Sequence, residues 1–323
     1  MAGSAVVRVA IDGSPLAVET GGIRRYTQDL HGALSREFPD DTFTLVPPQP
    51  GRWWSYGLPR ALREGRFDVF HGTDFAVPYA PVVPAVMTVH DLSPWSNKEW
   101  RAASARVRRR TPWLLRLGLA RIVVTPTEAV RRGVIDRFGL SPSRVVAVPL
   151  AAHERFRPTG EPRGDYFLMV GTIEPRKNVL CAIDAWRELR RRGCKCGLKL
   201  VGRNPMDLRG EPGLELLGPV PDDELASLYS RAVALLFPSH YEGFGLPMLE
   251  AFQCGTPVVA SRDPALMEVS GGGALHPDGD WPAAMEAVLS DPEWSARATR
   301  RAADFSWRST ARALREIYAS ITG

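Results

Sequence analysis

The chain has 323 residues, enough for two domains of ordinary size. Its 44% hydrophobic and 24% charged content excludes a disordered or collagen-like chain. The formal charge of +5 is too diffuse to point to nucleic acid, though it suits anionic small molecules or a membrane surface.

Short β-rich runs alternate with helical patterns from end to end. The first half predicts strands at Val6–Ile11, Phe43–Val46, Phe67–Phe70, Ala85–Val89, Ile122–Thr125 and Val145–Val148. Between the first two, Ile23, Tyr26, Leu30, Ala33, Leu34 and Phe38 recur at helical spacing. The strand runs are continuous rather than alternating, as in a parallel sheet buried on both faces. Pro149–Asp165 breaks this rhythm with prolines and glycines and is read as a linker. A second series follows, with strands at Phe167–Val170, Leu198–Val201, Leu214–Leu217, Val233–Phe237 and Pro257–Ala260. Helices are predicted among them at Val179–Arg191, Asp222–Tyr229 and Pro247–Cys254, and the tail Trp307–Ile321 reads as one amphipathic helix. The expected fold is α/β: two Rossmann-like doubly wound domains facing a central cleft. The first would span 1–160 and reclaim the C-terminal helix 307–323, and the second would span 161–306. A ligand would then lie between carboxyl-end loops.

Cys181, Cys194, Cys196 and Cys254 form neither a zinc pattern nor a disulfide framework. The N-terminus lacks a signal-peptide core, and no run of 18 apolar residues occurs, so the expected location is cytoplasmic.

The segment Pro238-Ser-His-Tyr-Glu-Gly-Phe-Gly-Leu-Pro-Met-Leu-Glu250 places Glu242 on a loop after a strand and Glu250 about one turn into the next helix. Gly243, Gly245 and Pro247 keep the middle non-helical and leave backbone N–H groups for a phosphate or sugar oxygen. The plainer reading of Glu250 is a complement to the helix dipole. In Val170-Gly-Thr-Ile-Glu-Pro-Arg-Lys-Asn-Val179, the cations Arg176 and Lys177 precede a helix that Asn178 can cap. Only four residues of the chain are lysine, so one inside this turn is notable. A diphosphate would suit the pair, whereas a solvated basic turn is the bland alternative. Gly21-Gly22 opens the first helix and permits close backbone approach, or is simply a tight turn. His90-Asp91 ends an apolar run, as does His71, and a lone histidine there is more often hydrogen-bonded structure.

Taken together and in this order, these motifs resemble glycosyltransferase family 4, whose members are retaining, nucleotide-sugar-dependent enzymes of GT-B fold. The resemblance is strongest after Asp165. It implies that Arg176 and Lys177 bind the donor diphosphate, Glu250 the ribose hydroxyls and Glu242 a hydroxyl of the transferred sugar. Backbone groups of Phe244, Gly245 and Leu246 would contact the donor, with Gly22 closing from the other domain. His90 would lie near the reacting centre and the base near Val220. No cofactor and no metal are implied, and Asp278-Gly-Asp280 lacks a metal-motif context. The expected activity is retaining hexosyl transfer from GDP-mannose or a UDP- or dTDP-sugar to a hydroxyl of a glycan, glycolipid or natural product. The alternatives are a nucleotide-sugar 2-epimerase of the same fold and a non-catalytic sugar-nucleotide-binding protein.

Two stretches stay outside that resemblance. Gln49–Arg60 carries Trp53 and Trp54 with no assigned meaning. In residues 95–121, Trp95, Trp100 and Trp113 interleave with Arg101, Arg106, Arg108, Arg109, Arg110 and Arg116 in a helical stretch interrupted by Pro112. Such a face can make weak peripheral contact with an anionic membrane, at the inner face for a cytoplasmic protein. The favoured reading is plainer, with apolar residues on the sheet and arginines in water.

Overall fold

The structure is a computed structural model in which residues 6–18, 21–97 and 105–322 are described. The chain divides into two compact units, residues 1–150 with 306–323, and residues 151–305. The boundary therefore falls at 150 instead of 160. Ala151, Ala152 and Phe156 are buried, and Phe156 meets the Tyr229 ring of the second unit edge-on at 5.9 Å. At the other end Ser306 belongs to the first unit, because its hydroxyl caps the tail helix.

The first unit is built on β1 (Arg8–Asp12), β2 (Thr42–Val46), β3 (Val69–Gly72), β4 (Ala85–Thr88), β5 (Ile122–Thr125) and β6 (Val145–Ala147). They form one parallel sheet in the order β2-β1-β3-β4-β5-β6. Its helices are α1 (Gly22–Glu37), α2 (Leu58–Glu64), α3 (Ala105–Arg116) and α4 (Glu128–Phe138). α1 buries Tyr26, Leu30, Ala33 and Leu34, the stripe expected from their spacing. Trp53 is buried in this core, in a wide helical turn that leads into α2.

α3 runs unbroken through Pro112, against expectation. The Arg108 carbonyl, which an N–H at position 112 would have engaged, instead accepts Nε1–H of Trp95 at 3.2 Å. Leu114 and Leu115 are buried while Arg106, Arg109, Trp113 and Arg116 are exposed. Lys98, Trp100 and Arg101 lie outside the described residues.

The second unit holds β7 (Tyr166–Val170), β8 (Gly197–Val201), β9 (Leu214–Gly218), β10 (Ala234–Phe237) and β11 (Val258–Ala260). All pair in parallel, in the order β11-β10-β7-β8-β9. Its helices are α5 (Val179–Arg191), α6 (Asp222–Arg231), α7 (Leu246–Gln253), α8 (Pro264–Ser270), α9 (Trp281–Ser290) and α10 (Glu293–Ala302). Every residue of β7 and β10 is buried, which explains their continuous apolar runs. From β7 the chain builds outward through β8 and β9, then returns to place β10 on β7's other side. Loops leaving β7 and β10 thus part at a topological switch point, where doubly wound sheets bind ligands.

The last helix, α11 (Trp307–Ile321), has the bounds read from its periodicity and packs on the first unit. The Thr310 hydroxyl donates to the Pro149 carbonyl at 2.7 Å, and Arg315 pairs with Asp41 at 2.5 Å. Tyr318 reaches the fully buried His71, with 2.6 Å between its hydroxyl and Nδ1.

Candidate active site

β7 delivers its carboxyl end to Gly171, and the chain then turns through Pro175–Lys177 in a single tight helical turn. Close packing sets this path. A Cβ at Gly202, where φ is +138°, would stand 2.1 Å from the Gly171 oxygen, so only glycine fits there. Asn178 does not cap α5 through its side chain. It takes the left-handed conformation, φ 51°, that joins the turn to the helix, which asparagine tolerates better than most residues.

The loop after β10 is pinned to this turn. The His240 N–H donates to the Arg176 carbonyl at 2.9 Å, and Arg176 returns a bond from its guanidinium to the Tyr241 carbonyl at 2.9 Å. Glu242 lies between the two cations, 2.6 Å from Lys177 Nζ and 3.3 Å from Arg176. Arg176 also engages Glu174 at 2.8 Å, and Lys177 Nζ stands 5.1 Å from the Phe237 ring centroid. Residues expected as two separate motifs are thus one ion-pair network, joined across 65 positions of sequence by the adjacency of β7 and β10. Burial pushes the Glu242 carboxyl up, but Lys177 and Arg176 outweigh it and hold the group below its ordinary range.

Gly245, at φ +96°, is the N-cap of α7. A Cβ there would stand 2.6 Å from a Leu266 methyl group. α7 begins at Leu246, one residue before the expected start, and Pro247 takes its second position. Phe244 is buried with its ring edge-on to Phe305 at 5.8 Å, so its side chain belongs to the core and only its backbone is offered. Glu250 is 2% exposed and accepts a hydrogen bond from the Tyr229 hydroxyl at 2.9 Å. Val220 is half-buried in the loop after β9, at the sheet's edge.

Two residues here were not singled out from sequence for a role. Tyr229, the expected end of a helix, is fully buried and positions Glu250. Asp263 caps α8 through bonds from the Ala265 and Leu266 N–H groups at 3.0 and 3.1 Å, and also receives the Glu242 N–H at 3.4 Å. Burial, with the Glu242 charge adding to it, pushes the Asp263 carboxyl up to about 6. A buried tyrosine hydroxyl demands some partner, but its identity follows only from the fold.

Gly22 and His90 belong to the first unit. Gly22 is the first residue of α1, and a Cβ there would meet nothing within 4 Å, so internal packing does not account for the glycine. His90 Nε2 lies 2.7 Å from the Thr73 carbonyl, which requires the proton on Nε2, and its ring meets Tyr26 edge-on at 4.9 Å. His71, held by Tyr318 and by Thr88 at 2.8 Å, is pushed by burial down to about 3 and is a neutral structural group. Among the described residues, no group of three or more His, Cys, Asp or Glu could hold a metal, and no helix is long and apolar enough to cross a membrane.

Comparison with known proteins agrees with this geometry. Residues 164–291 match the family of glycosyl transferases group 1, and residues 30–152 match Glycosyltransferase Family 4. The O-antigen chain mannosyltransferase B of Escherichia coli is 30% identical over 308 residues, covering 83% of this chain and 77% of its own. The sucrose-phosphate synthase of Thermosynechococcus elongatus superposes with a TM-score of 0.75 at 18% identity, over 97% of this chain and 98% of its own. Anabaena HepE in complex with UDP-glucose does so with a TM-score of 0.73 at 15% identity, over 97% and 100%. Those two likenesses speak for the fold. The two family matches fall on the two units in turn, and with a relative spanning both, the chain belongs to the family 4 glycosyltransferases and has the GT-B fold.

Proposed function

We propose that the chain is a retaining glycosyltransferase that moves a hexosyl group from a nucleoside diphosphate sugar to a hydroxyl of a glycan, glycolipid or natural product, without a metal. The observation that carries this reading is the Arg176–Glu242–Lys177 network at the switch point of the second unit. GDP-mannose is the favoured donor class beside UDP- and dTDP-sugars, because a mannosyltransferase spans most of the chain at 30% identity. HepE, of the same fold, was solved with UDP-glucose, which supports a nucleoside diphosphate sugar as the class of donor.

Cleavage of the donor bond leaves a nucleoside diphosphate, so negative charge grows on the leaving phosphate. Lys177 carries three N–H donors and Glu242 takes one, which leaves two directions for phosphate oxygens. Arg176 adds a fixed guanidinium, and the N–H groups of Phe244, Gly245 and Leu246 at the start of α7 add fixed dipoles. Donors already aimed where charge develops contribute much of the barrier lowering and do the work a metal ion does elsewhere. Glu242, anchored by both cations, would accept a hydroxyl of the transferred sugar while its charge stays balanced. Glu250, fixed by Tyr229, would accept the ribose hydroxyls. Same-face attack assisted by the leaving phosphate gives retention and needs no protein nucleophile.

Calorimetry with GDP and UDP tests the donor site. At least one should bind, and Arg176→Ala should weaken it at least tenfold, since hydrogen bonds to charged groups contribute about 1.5–3 kcal/mol each. Unchanged affinity in that variant overturns the assignment. Proton NMR of the product should show the donor's anomeric configuration, and transfer should persist in excess EDTA. An inverted product, or loss restored by magnesium, overturns that part of the reading.

A further inference from the structure

A chain of polar side chains runs through the interior of the first unit. His71 of β3 pairs in register with Val86 of β4, so Thr88, two residues on, shares its face of the sheet. His71 Nε2 lies 2.8 Å from Thr88 Oγ1, and its Nδ1 faces the Tyr318 hydroxyl of α11 at 2.6 Å. Thr88 Oγ1 in turn stands 3.0 Å from the Tyr26 hydroxyl of α1. None of these four residues is more than 2% exposed. The Tyr26 ring then meets His90 edge-on at 4.9 Å, and Trp307, the first residue of α11, lies 6.2 Å from it on another side.

Burial alone does not call for such a chain. Apolar side chains of similar shape can replace a hydrogen-bonded pair at little cost, whereas a fully paired polar network fixes one arrangement. His71 is neutral, so it donates through one ring nitrogen and accepts through the other. The Tyr318 and Thr88 hydroxyls are thus held in opposite roles at the ring, and Thr88 anchors the Tyr26 hydroxyl. Sliding or tilting the Tyr26 ring breaks this chain.

At its far end the half-buried His90 ring is fixed from several sides. The Thr73 carbonyl takes its Nε2–H at 2.7 Å, and Phe75 meets it edge-on at 6.1 Å, opposite in sequence from Tyr26. Phe75 does so from a left-handed backbone, φ 53°, which an aromatic residue keeps only where its surroundings hold it. Nδ1 retains its lone pair and has no partner among the described residues, so the tilt of the ring decides where this acceptor points. We propose that Tyr26 is a positioning residue for hexosyl transfer: held through Thr88 and His71 by Tyr318 of α11, it fixes the orientation of the His90 ring. This rests on the reading that His90 stands near the reacting centre, and it ties that residue to the last helix of the chain.

Carbon–proton NMR of the histidine rings in the full chain tests it. Tyr318→Phe is the decisive variant, because among the described residues no hydrogen bond or ring contact joins Tyr318 to His90 directly. Tyr318→Phe and Tyr26→Phe should both shift or broaden the His90 signals and leave those of His240 and His276, in the second unit, in place. Tyr26→Phe should also lower kcat for hydrolysis of GDP-mannose or UDP-glucose, with water in place of the acceptor, by about tenfold with the donor KM nearly kept, since small misplacements near reacting atoms cost up to about 100-fold. Leu34→Val, in the core of the same helix, controls for stability and should leave kcat and the His90 signals unchanged. Unmoved His90 signals in Tyr318→Phe, or kcat kept in Tyr26→Phe while His90→Ala loses it, overturn the proposal. So does an equal fall of kcat in Leu34→Val and Tyr26→Phe. The reading of His90 fails separately, when His90→Ala keeps kcat. The donor reading fails when wild type turns over neither sugar nucleotide, and the NMR result then decides the proposal alone.

Discussion

Lys177→Met is the most informative perturbation of the donor site, because it strips one of two cations from a buried carboxylate. The side chains of Lys177 and Glu242 are each only 10% exposed and stand 2.6 Å apart. Breaking a buried pair by removing one partner costs about 3–5 kcal/mol, since the other charge stays desolvated. Arg176 remains 3.3 Å from Glu242, which puts the expected loss near the lower end, about 3 kcal/mol. For a unit of this size that is a fall of about 6–12 °C in the melting temperature of the second unit. In wild type the folded carboxyl titrates below its ordinary 4.5, so its stabilisation is present above that pH and is lost as pH falls through the lower folded value. In Lys177→Met burial acts with less opposition and the folded carboxyl moves up. The variant then pays most at neutral pH, and its deficit shrinks as acid protonates Glu242. Adding Glu242→Gln to Lys177→Met should recover much of the loss, because no buried charge is left underpaired. Urea unfolding of wild type, both single variants and the double variant, at neutral and acid pH, measures this coupling. A deficit that stays constant with pH, or a double variant less stable than Lys177→Met, would refute the reasoning.

Glu250→Ala and Tyr229→Phe should both raise the donor KM with kcat nearly kept, the tyrosine change by less, because ribose contacts are alike in ground and transition states. Glu242→Gln should lower kcat more than it raises KM, and steady-state kinetics showing the reverse split would exchange the two roles. Asp263, raised to about 6 from an ordinary 3.8, makes folding less favourable as pH climbs through that interval; Asp263→Asn, which can still cap α8, should flatten that part of the stability curve. An unaltered slope would remove Asp263 as its source. On α3 the exposed Arg106, Arg109 and Arg116 beside Trp113 offer about 3 kcal/mol to an anionic bilayer, short of millimolar affinity. The protein should therefore stay in the supernatant with anionic liposomes at physiological salt, and sedimentation abolished by Arg106→Glu with Arg109→Glu would contradict this.

The strands were legible because burial on both faces of a parallel sheet leaves no polar face to interrupt the apolar runs, as in β7 and β10. The tail helix was legible because one of its faces is buried and the other is charged. Where local signals misled, a tertiary contact had decided otherwise. Pro112 reads as a break until Trp95 supplies the donor that proline lacks. The Pro- and Gly-rich stretch does hold the boundary between the two units, but its first residues Ala151 and Ala152, with Phe156, are buried in the second unit, which composition alone does not show. Asn178 reads as a side-chain cap, but the turn ahead of α5 required a left-handed residue instead.

The site shows the same limit at finer grain. Arg176, Lys177, Glu242 and Glu250 each sit in a motif whose turn residues announce a strand-to-helix junction. Their partners do not, because the partners are set by strand order, which local sequence does not carry. β10 follows β9 along the chain but lies beside β7 in the sheet, and that single placement lets Lys177 reach Glu242 across 65 positions. It also ties the two loops through His240 and Tyr241, whose contributions come from the backbone and leave no trace in residue type. The same logic separates the two glutamates. Glu242 is balanced by cations from a neighbouring loop, so its protonation depends on the sheet being correctly assembled. Glu250 is held by a neutral hydroxyl from Tyr229 of α6, so its orientation depends on the packing of α6 against α7. Damage to the β7–β10 junction should therefore reach Glu242 first, while loosening of α6 should reach Glu250 first.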